Sequence, residues 1–168
     1  MQFELLNYHH DAKLLAFELA NKQWFESLIE ARPNTFYSLE GIEEHIKQLD
    51  VMHKLGKSRS YVVLQEDEIV ARANLKDISQ GSAAVGYRVA HQKTSMGLGK
   101  RCLSHLISTA KESLMLSRLH AQVLDNNPAS LHLLQKAGFV KTRTIQDFLS
   151  INNQRYSCHE LSYNLKND

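Results

Sequence analysis

Residues 82–110, SAAVGYRVAHQKTSMGLGKRCLSHLISTA, constrain this chain more than any other stretch. AAVGYRVA alternates like a strand, and the loop that follows carries Gly97 and Gly99 one residue apart. Leu103, Leu106, Ile107, Ala110 and Leu114 then recur at helical spacing before RLHAQVL, a second strand. Strand, tight loop, helix and strand in that order form a right-handed crossover, which requires a parallel pair inside a sheet. The fold class is therefore α/β. Glycines this close mark a backbone that approaches something, and Lys100 and Arg101 beside them point to an anion.

The remaining residues build outward from that unit. FELLNYHH, 3–10, reads as an opening strand, and Ala12, Leu15, Ala16, Leu19 and Ala20 as the buried stripe of a helix that loosens near Trp24. Arg32-Pro33-Asn34 breaks the pattern. Ser38 then caps a second helix with the stripe Leu39, Ile42, Ile46 and Leu49, ending near Gly56. From 60 to 90 the period becomes two: SYVVLQ, a turn at Glu66-Asp67, then Ile69, Ala71, Ala73 and Leu75 alternating with Val70, Arg72, Asn74 and Lys76. Asn127-Pro128 starts a helix that Gly138 stops, and two last strands, 139–149 and 154–165, flank the turn Asn152-Asn153-Gln154. The expectation is a single domain over 1–168, with a mixed, mostly antiparallel sheet of about six or seven strands and helices on both faces.

Composition narrows the function classes. With 20 Lys+Arg against 18 Asp+Glu and a net charge of +2, no general field favours nucleic acid or a membrane surface, so the anion is held locally. Cys102 and Cys158 are the only cysteines, the chain opens without a secretory apolar core, and no apolar run nears the roughly 18 residues of a membrane span. A reduced, cytoplasmic setting is expected. The nine histidines show no H-E-x-x-H spacing and no paired cysteine knuckle, so no metal is expected. Cys102 reads as a small core residue, since no histidine partner is evident.

Spacing sorts the phosphate-binding patterns. A dinucleotide G-x-G-x-x-G needs glycine where Cys102 stands, and a Walker loop needs glycine at Thr94 and a hydroxyl at Arg101. What remains is G-x-G at a strand-to-helix junction, where unpaired amides and the positive end of the helix dipole face an anion. A plain tight turn would also use these two glycines.

TSMGLG at 94–99 resembles the Q/R-x-x-G-x-G/A loop of the GNAT superfamily of N-acetyltransferases, apart from Thr94 at the Q/R position. Asn127, Ser130, Lys136, Gly138 and Phe139 are similar to that superfamily's N-x-x-S followed by K-x-G-F, and VGYRVAHQ to the segment before its loop. The resemblance implies acetyl-CoA as co-substrate and a sheet splayed at its site. The backbone of Thr94, Ser95, Met96, Gly97, Leu98, Gly99 and Lys100 would cradle the pyrophosphate. Tyr87, Arg88 and Val89 would pair with the pantetheine arm like an added strand, and Asn127 and Ser130 would line its other side. Asn127 before Pro128 is equally a helix cap.

The chain departs from the superfamily where the chemistry sits. Leu134 stands where a tyrosine usually donates a proton to the leaving thiolate, and Ala84 and Gln122 stand where some members carry a glutamate base. Ser130 or water then supplies the proton, or a thiol with pKa of roughly 8.5 leaves unassisted. A lysine amine is neutral in about one molecule in 2,500 at pH 7, an α-amine in roughly one in ten, so weak base catalysis suits an α-amine. FELANKQWFESLIEARPNTFYS and YSCHELSYNL are similar to the RimJ/RimL branch, which acetylates ribosomal-protein N-termini. The resemblance implies direct attack in a ternary complex, and an acceptor pocket of Trp24, Phe25, Glu26, Arg32, Tyr37 and His159. Glu26 reads either as a solvated helix charge or as the carboxylate that attracts a cationic amine, and His159 as a structural residue or a proton relay. Catalytic candidates are therefore Ser130, His159 and Glu26. A polyamine or aminoglycoside acceptor would draw on Glu26, Glu40, Glu43 and Glu44, and a catalytically weak CoA-binding module is the reading from another class. A monomer or a homodimer is expected.

Overall fold

The computed structural model describes residues 1–165. In chain order its elements are β1 (Gln2–Leu5), α1 (Asp11–Ala20), α2 (Lys22–Glu26), α3 (Leu39–Lys54), β2 (Arg59–Gln65), β3 (Glu68–Ser79), β4 (Ser82–Val89), α4 (Leu98–Ser108), β5 (Arg118–Leu124), α5 (Pro128–Lys136), β6 (Val140–Ile151) and β7 (Gln154–Asn164). One seven-stranded sheet runs β1-β2-β3-β4-β5-β7-β6. Every neighbouring pair is antiparallel except β4 and β5, which α4 joins as the crossover. Glu66-Asp67 and Asn152-Asn153 all have positive φ, the conformation that lets a two-residue turn follow the twist of a hairpin.

Local side-chain bonds shift the first elements. The opening strand stops at Leu5 instead of reaching residue 10, because Asn7 Oδ1 accepts from the His9 amide and His10 Nδ1 accepts from the Asn7 amide, closing a tight turn. The first helix breaks at Asn21, not at Trp24. The Asn21 carboxamide donates to the Phe17 carbonyl at 2.8 Å and accepts from the His91 amide at 2.8 Å, tying the break to the chain that leads into the glycine loop. Ser38 caps α3 as expected, its Oγ accepting from the Gly41 amide at 3.0 Å.

Both faces of the sheet are covered. Ala71, Ala73 and Leu75 of β3 and Ala83 of β4 pack against Leu98, Cys102, Leu103 and Leu106 of α4 and Leu134 of α5. On the other face Leu14, Phe17, Phe25, Ile42 and Ile46 of α1, α2 and α3 pack against Val62 and Ile69. The stripe expected on α1 is thereby corrected: Leu14, Phe17 and Glu18 are its buried residues, and Leu19 is exposed.

Glu18 is buried because the sheet offers it two cations. Arg72 Nη1 donates to one carboxylate oxygen at 2.8 Å and Arg88 Nη1 to the other at 3.3 Å, while Arg72 Nη2 lies 3.2 Å from His45 Nε2. Burial, together with Arg72, Arg32, Lys76 and Arg88, holds the His45 imidazole down to about 3, so it is neutral and accepts from Arg72. The sign follows from proton uptake. The unfolded chain binds a proton at His45 near pH 6.5 and the folded chain does not, so this site's contribution to stability is complete above pH 6.5 and falls as pH drops toward 3. The loss approaches about 1.4 kcal/mol per pH unit. His45→Gln is expected to flatten the acid limb of a Tm-versus-pH curve; an unchanged limb in the variant refutes this assignment.

Candidate active site

β4 and β5 pair only over Ser82–Ala84 and Arg118–His120. Beyond that they separate, while β5 stays paired to β7 as far as Leu124, so the sheet opens into a cleft of about 960 Å³ between Val85–Val89 and Ala121–Leu124. One edge of β4 thus runs unpaired along the cleft, offering backbone donors and acceptors to an extended ligand.

The two glycines at the mouth do different work. Gly97 precedes α4 with φ +78 and no side-chain cap, and a Cβ built on it would meet nothing within 4 Å. Its conformation turns the chain so that the first amides of α4 stay free, an anion-binding arrangement. A Cβ on Gly99 would lie 3.1 Å from Leu133 and 3.4 Å from Tyr87, so this glycine lets α4 close on α5 and β4. Thr94, Ser95, Leu98 and Lys100 also line the cleft. Met96 does not and is exposed.

On the α4 and α5 side, Tyr87 Oη and Ser130 Oγ are 3.0 Å apart, and burial raises the Tyr87 phenol above its usual range. The Ser130 amide donates to Asn127 Oδ1 at 3.1 Å, so Asn127 caps α5 and fixes the serine at the cleft wall. Leu134 is buried beside this pair. Burial pushes the Cys102 thiol up to about 12, which leaves it protonated and unreactive, in keeping with a core role.

The opposite side is cationic. Strand alternation turns Arg72, Asn74 and Lys76 of β3 and Ala84, Gly86 and Arg88 of β4 toward α1, α2 and α3. Asn74, Lys76, Ala84, Gly86 and Arg88 line the cleft there with Trp24 and Phe25. Trp24 stacks on His91 with ring centroids 4.5 Å apart, and the Arg88 guanidinium carbon sits 5.2 Å from the Phe25 ring centre. Burial and the neighbouring cations lower Arg88 to about 10 against the opposing pull of Glu18.

Four acceptor-pocket candidates lie elsewhere. Glu26 accepts from the Tyr37 hydroxyl at 3.3 Å, Arg32 stacks over Phe36 at 4.1 Å, and His159 Nδ1 lies 2.9 Å from Thr144 Oγ1 on the hairpin of β6 and β7. Glu26, Arg32, Tyr37 and His159 are all absent from the cleft lining, so the structure does not bring Glu26 and His159 together with Ser130. Sequence reasoning missed Asn74, Lys76 and the Tyr87 hydroxyl. The signal available for the first two was the polar half of the β3 alternation, Arg72-x-Asn74-x-Lys76, on a strand between two helical segments and a crossover. Among the described residues no cluster of three or more His, Cys, Asp or Glu could hold a metal ion, and no helix is long and apolar enough to cross a membrane.

An open, mostly antiparallel sheet split between its parallel strands, with a glycine turn and free helix amides at the split, defines the acetyltransferase class of folds. Residues 4–140 match the acetyltransferase (GNAT) domain family, and the chain belongs to it and is an N-acetyltransferase. The chain is 25% identical over 145 residues, 82% of its length and 79% of the relative's, to a probable N-acetyltransferase, YjcK, of Bacillus subtilis. Its fold is similar to the ribosomal-protein-S5-alanine acetyltransferase of Vibrio fischeri, with a TM-score of 0.91 at 21% identity, covering 97% of this chain and 92% of the other. It is also similar to RimL, a ribosomal L7/L12 α-N-protein acetyltransferase in complex with coenzyme A, with a TM-score of 0.88 at 16% identity, covering 96% of this chain and 92% of the other.

Proposed function

We propose that this enzyme takes acetyl from acetyl-CoA and transfers it to the N-terminal α-amine of a protein or peptide by direct attack in a ternary complex. The observation that carries the acceptor choice is the cation-lined side of the cleft. Glu160 is the carboxylate nearest the Gln122 position and is bound by Arg143 at 2.9 Å and Gln122 at 3.1 Å, and Ala84 offers none. With no free carboxylate base at these positions, an amine that is already neutral in roughly one molecule in ten at pH 7 is the chemically suited acceptor. Lys76 and Arg88 oppose a polycationic acceptor; Glu40, Glu43 and Glu44 are not part of the cleft lining, and its acids are Glu30, Asp77 and the Arg143-bound Glu160. The fold neighbours, a ribosomal-protein-S5-alanine acetyltransferase and a ribosomal L7/L12 α-N-protein acetyltransferase, support this choice.

The residues divide the work. Free amides at Leu98, Gly99 and Lys100 suit a pyrophosphate, and the unpaired edge of β4 suits the amide-bearing arm. Ser130, hydrogen-bonded to Tyr87, is placed to give a proton to the thiolate as its carbon–sulfur bond breaks and the new amide bond forms. The proton shed by the amine leaves through the open cleft to water. Ser130 regains its proton through Tyr87, which takes one from water in the open cleft.

Thiol release from acetyl-CoA, followed with α-amine peptides, lysine peptides, polyamines and aminoglycosides, tests this directly. Turnover is expected with α-amine peptides, and Ser130→Ala is expected to lower kcat about 10²-fold, the low end of general acid catalysis, with KM for acetyl-CoA little changed. Acetyl-CoA binding without turnover on any amine would replace the enzyme with a CoA-binding module, and turnover confined to polyamines would overturn the acceptor.

A further inference from the structure

The acceptor side of the cleft holds more positive charge than it neutralises. Arg72 and Arg88 already take both oxygens of a single buried carboxylate, Glu18, which Arg32 also feels, and Lys76 is a further cation that Arg72, Arg88 and Arg32 repel. His45 is neutral, and Glu26 is turned away to Tyr37. Lys76 is open to water at the cleft yet enclosed enough that burial, then Arg72, Arg88 and Arg32, lower its pKa. Glu30, Asp77 and Glu160 are the other acids of the cleft lining; Glu160 is held by Arg143 and Gln122, Asp77 pulls the Lys76 pKa the other way, and among the described residues none of the three forms an ion pair with Lys76 or Arg88.

A second observation lies between these cations. Asn74 is 8% exposed, lines the cleft, and its Oδ1 is buried with no hydrogen-bond partner. A buried carbonyl oxygen left unpaired costs about 1–3 kcal/mol, and an N–H donor brought by a ligand removes that cost. Opposite Asn74 on β4 stands Gly86, where a Cβ would meet nothing within 4 Å, so the cleft is open beside Asn74 and a small turn of its carboxamide brings Oδ1 to a ligand. Lys76 follows Asn74 by two residues on the same face, opposite Ala84, while Arg88 lies on the other side of Asn74, opposite Arg72 and held by Glu18. The free amides of α4 lie on the other face of the sheet, so a phosphate held there would not account for these cations.

We propose that the acceptor carries a carboxylate or phosphate within about 7 Å of the amine, the two-residue spacing along a strand, with Asn74 Oδ1 receiving the amine N–H and Lys76 holding the anion. The proposal rests on the acetyltransferase reading above and narrows its acceptor. An acidic side chain at the first or second position of a peptide meets the spacing, as does a small anionic amine.

The test compares kcat/KM for peptides that differ only at the second residue, Asp, phosphoserine, Ala or Lys, and for glutamate, glutamine and lysine as free amines. The expected order is Asp or phosphoserine at least tenfold above Ala, with Lys at least tenfold below it. In Lys76→Ala the Asp-to-Ala ratio is expected to fall toward one, and in Lys76→Glu to invert. Lys76 makes no ion pair among the described residues and its side chain is accessible, so both variants are expected to fold, with the acetyl-CoA Kd as the control. Asn74→Leu is expected to lower kcat at least tenfold on every peptide while keeping the acidic preference, and an unchanged kcat removes Asn74 from the amine. Equal rates on all four peptides, or a ratio that ignores Lys76, overturn the anion site and leave peptide acetylation standing. Turnover of glutamate over glutamine with no peptide acetylated keeps the anion site and overturns the peptide acceptor, and no turnover of any amine overturns both.

Discussion

Glu18→Ala is expected to destabilise the protein by about 3–5 kcal/mol, a large share of the roughly 5–15 kcal/mol that holds a domain folded. The cost comes from what is left behind. Arg72 is 3% exposed and cannot reach water, its Nε already lacks a partner, and its remaining contact would be the neutral His45 ring. Arg88 loses the same carboxylate and faces Arg72 and Arg32 without a counter-charge. Glu18→Gln keeps the shape and one acceptor oxygen and should fall between the two. Urea unfolding of both variants, beside Glu43→Ala as an exposed control expected within about 0.5 kcal/mol of the parent, measures the difference. A Glu18→Ala loss below about 1 kcal/mol would mean that water replaces the carboxylate and that the triad is not a closed unit.

Gly97→Val should weaken acetyl-CoA binding by at least tenfold and leave the fold nearly intact. Valine at φ +78 costs on the order of 1–2 kcal/mol or more, and the loop relieves that strain by rotating out of the left-handed region. Such a rotation re-aims the amides of Leu98, Gly99 and Lys100 that the phosphate needs. Nothing in the core resists it, since no atom lies within 4 Å of the added Cβ. Gly99→Val makes the contrast. Its Cβ would press on Leu133 and Tyr87, so the main loss should appear in Tm, with binding lost as a consequence. Calorimetry with acetyl-CoA and thermal melts on both variants separate conformation from packing, and an unchanged Kd in folded Gly97→Val would dismiss the cradle.

The crossover, the hairpin turns and the glycine loop were legible because each rests on local chemistry. The left-handed pairs Glu66-Asp67 and Asn152-Asn153, the Ser38 cap, the Asn127-Pro128 start and the Gly138 stop are written in neighbouring residues. The buried face of α1 was not legible, because Glu18 is apolar by no scale and is buried only through Arg72 and Arg88, 54 and 70 residues away. Glu26 and His159 looked available as acid and base in the chain. Their partners Tyr37 and Thr144 come from elements 11 and 15 residues distant, and those contacts took them out of the cleft.

Periodicity and turn chemistry in these 168 residues were sufficient for the fold class, the crossover and the glycine turn at the start of a helix, since each depends on residues within one turn or one strand of each other. The charge of the acceptor side is a property of assembly. It arises where β3 and β4 pair Arg72 with Arg88 and Asn74 with Gly86 under helices that bring one carboxylate to several cations, and no window of sequence contains that sum.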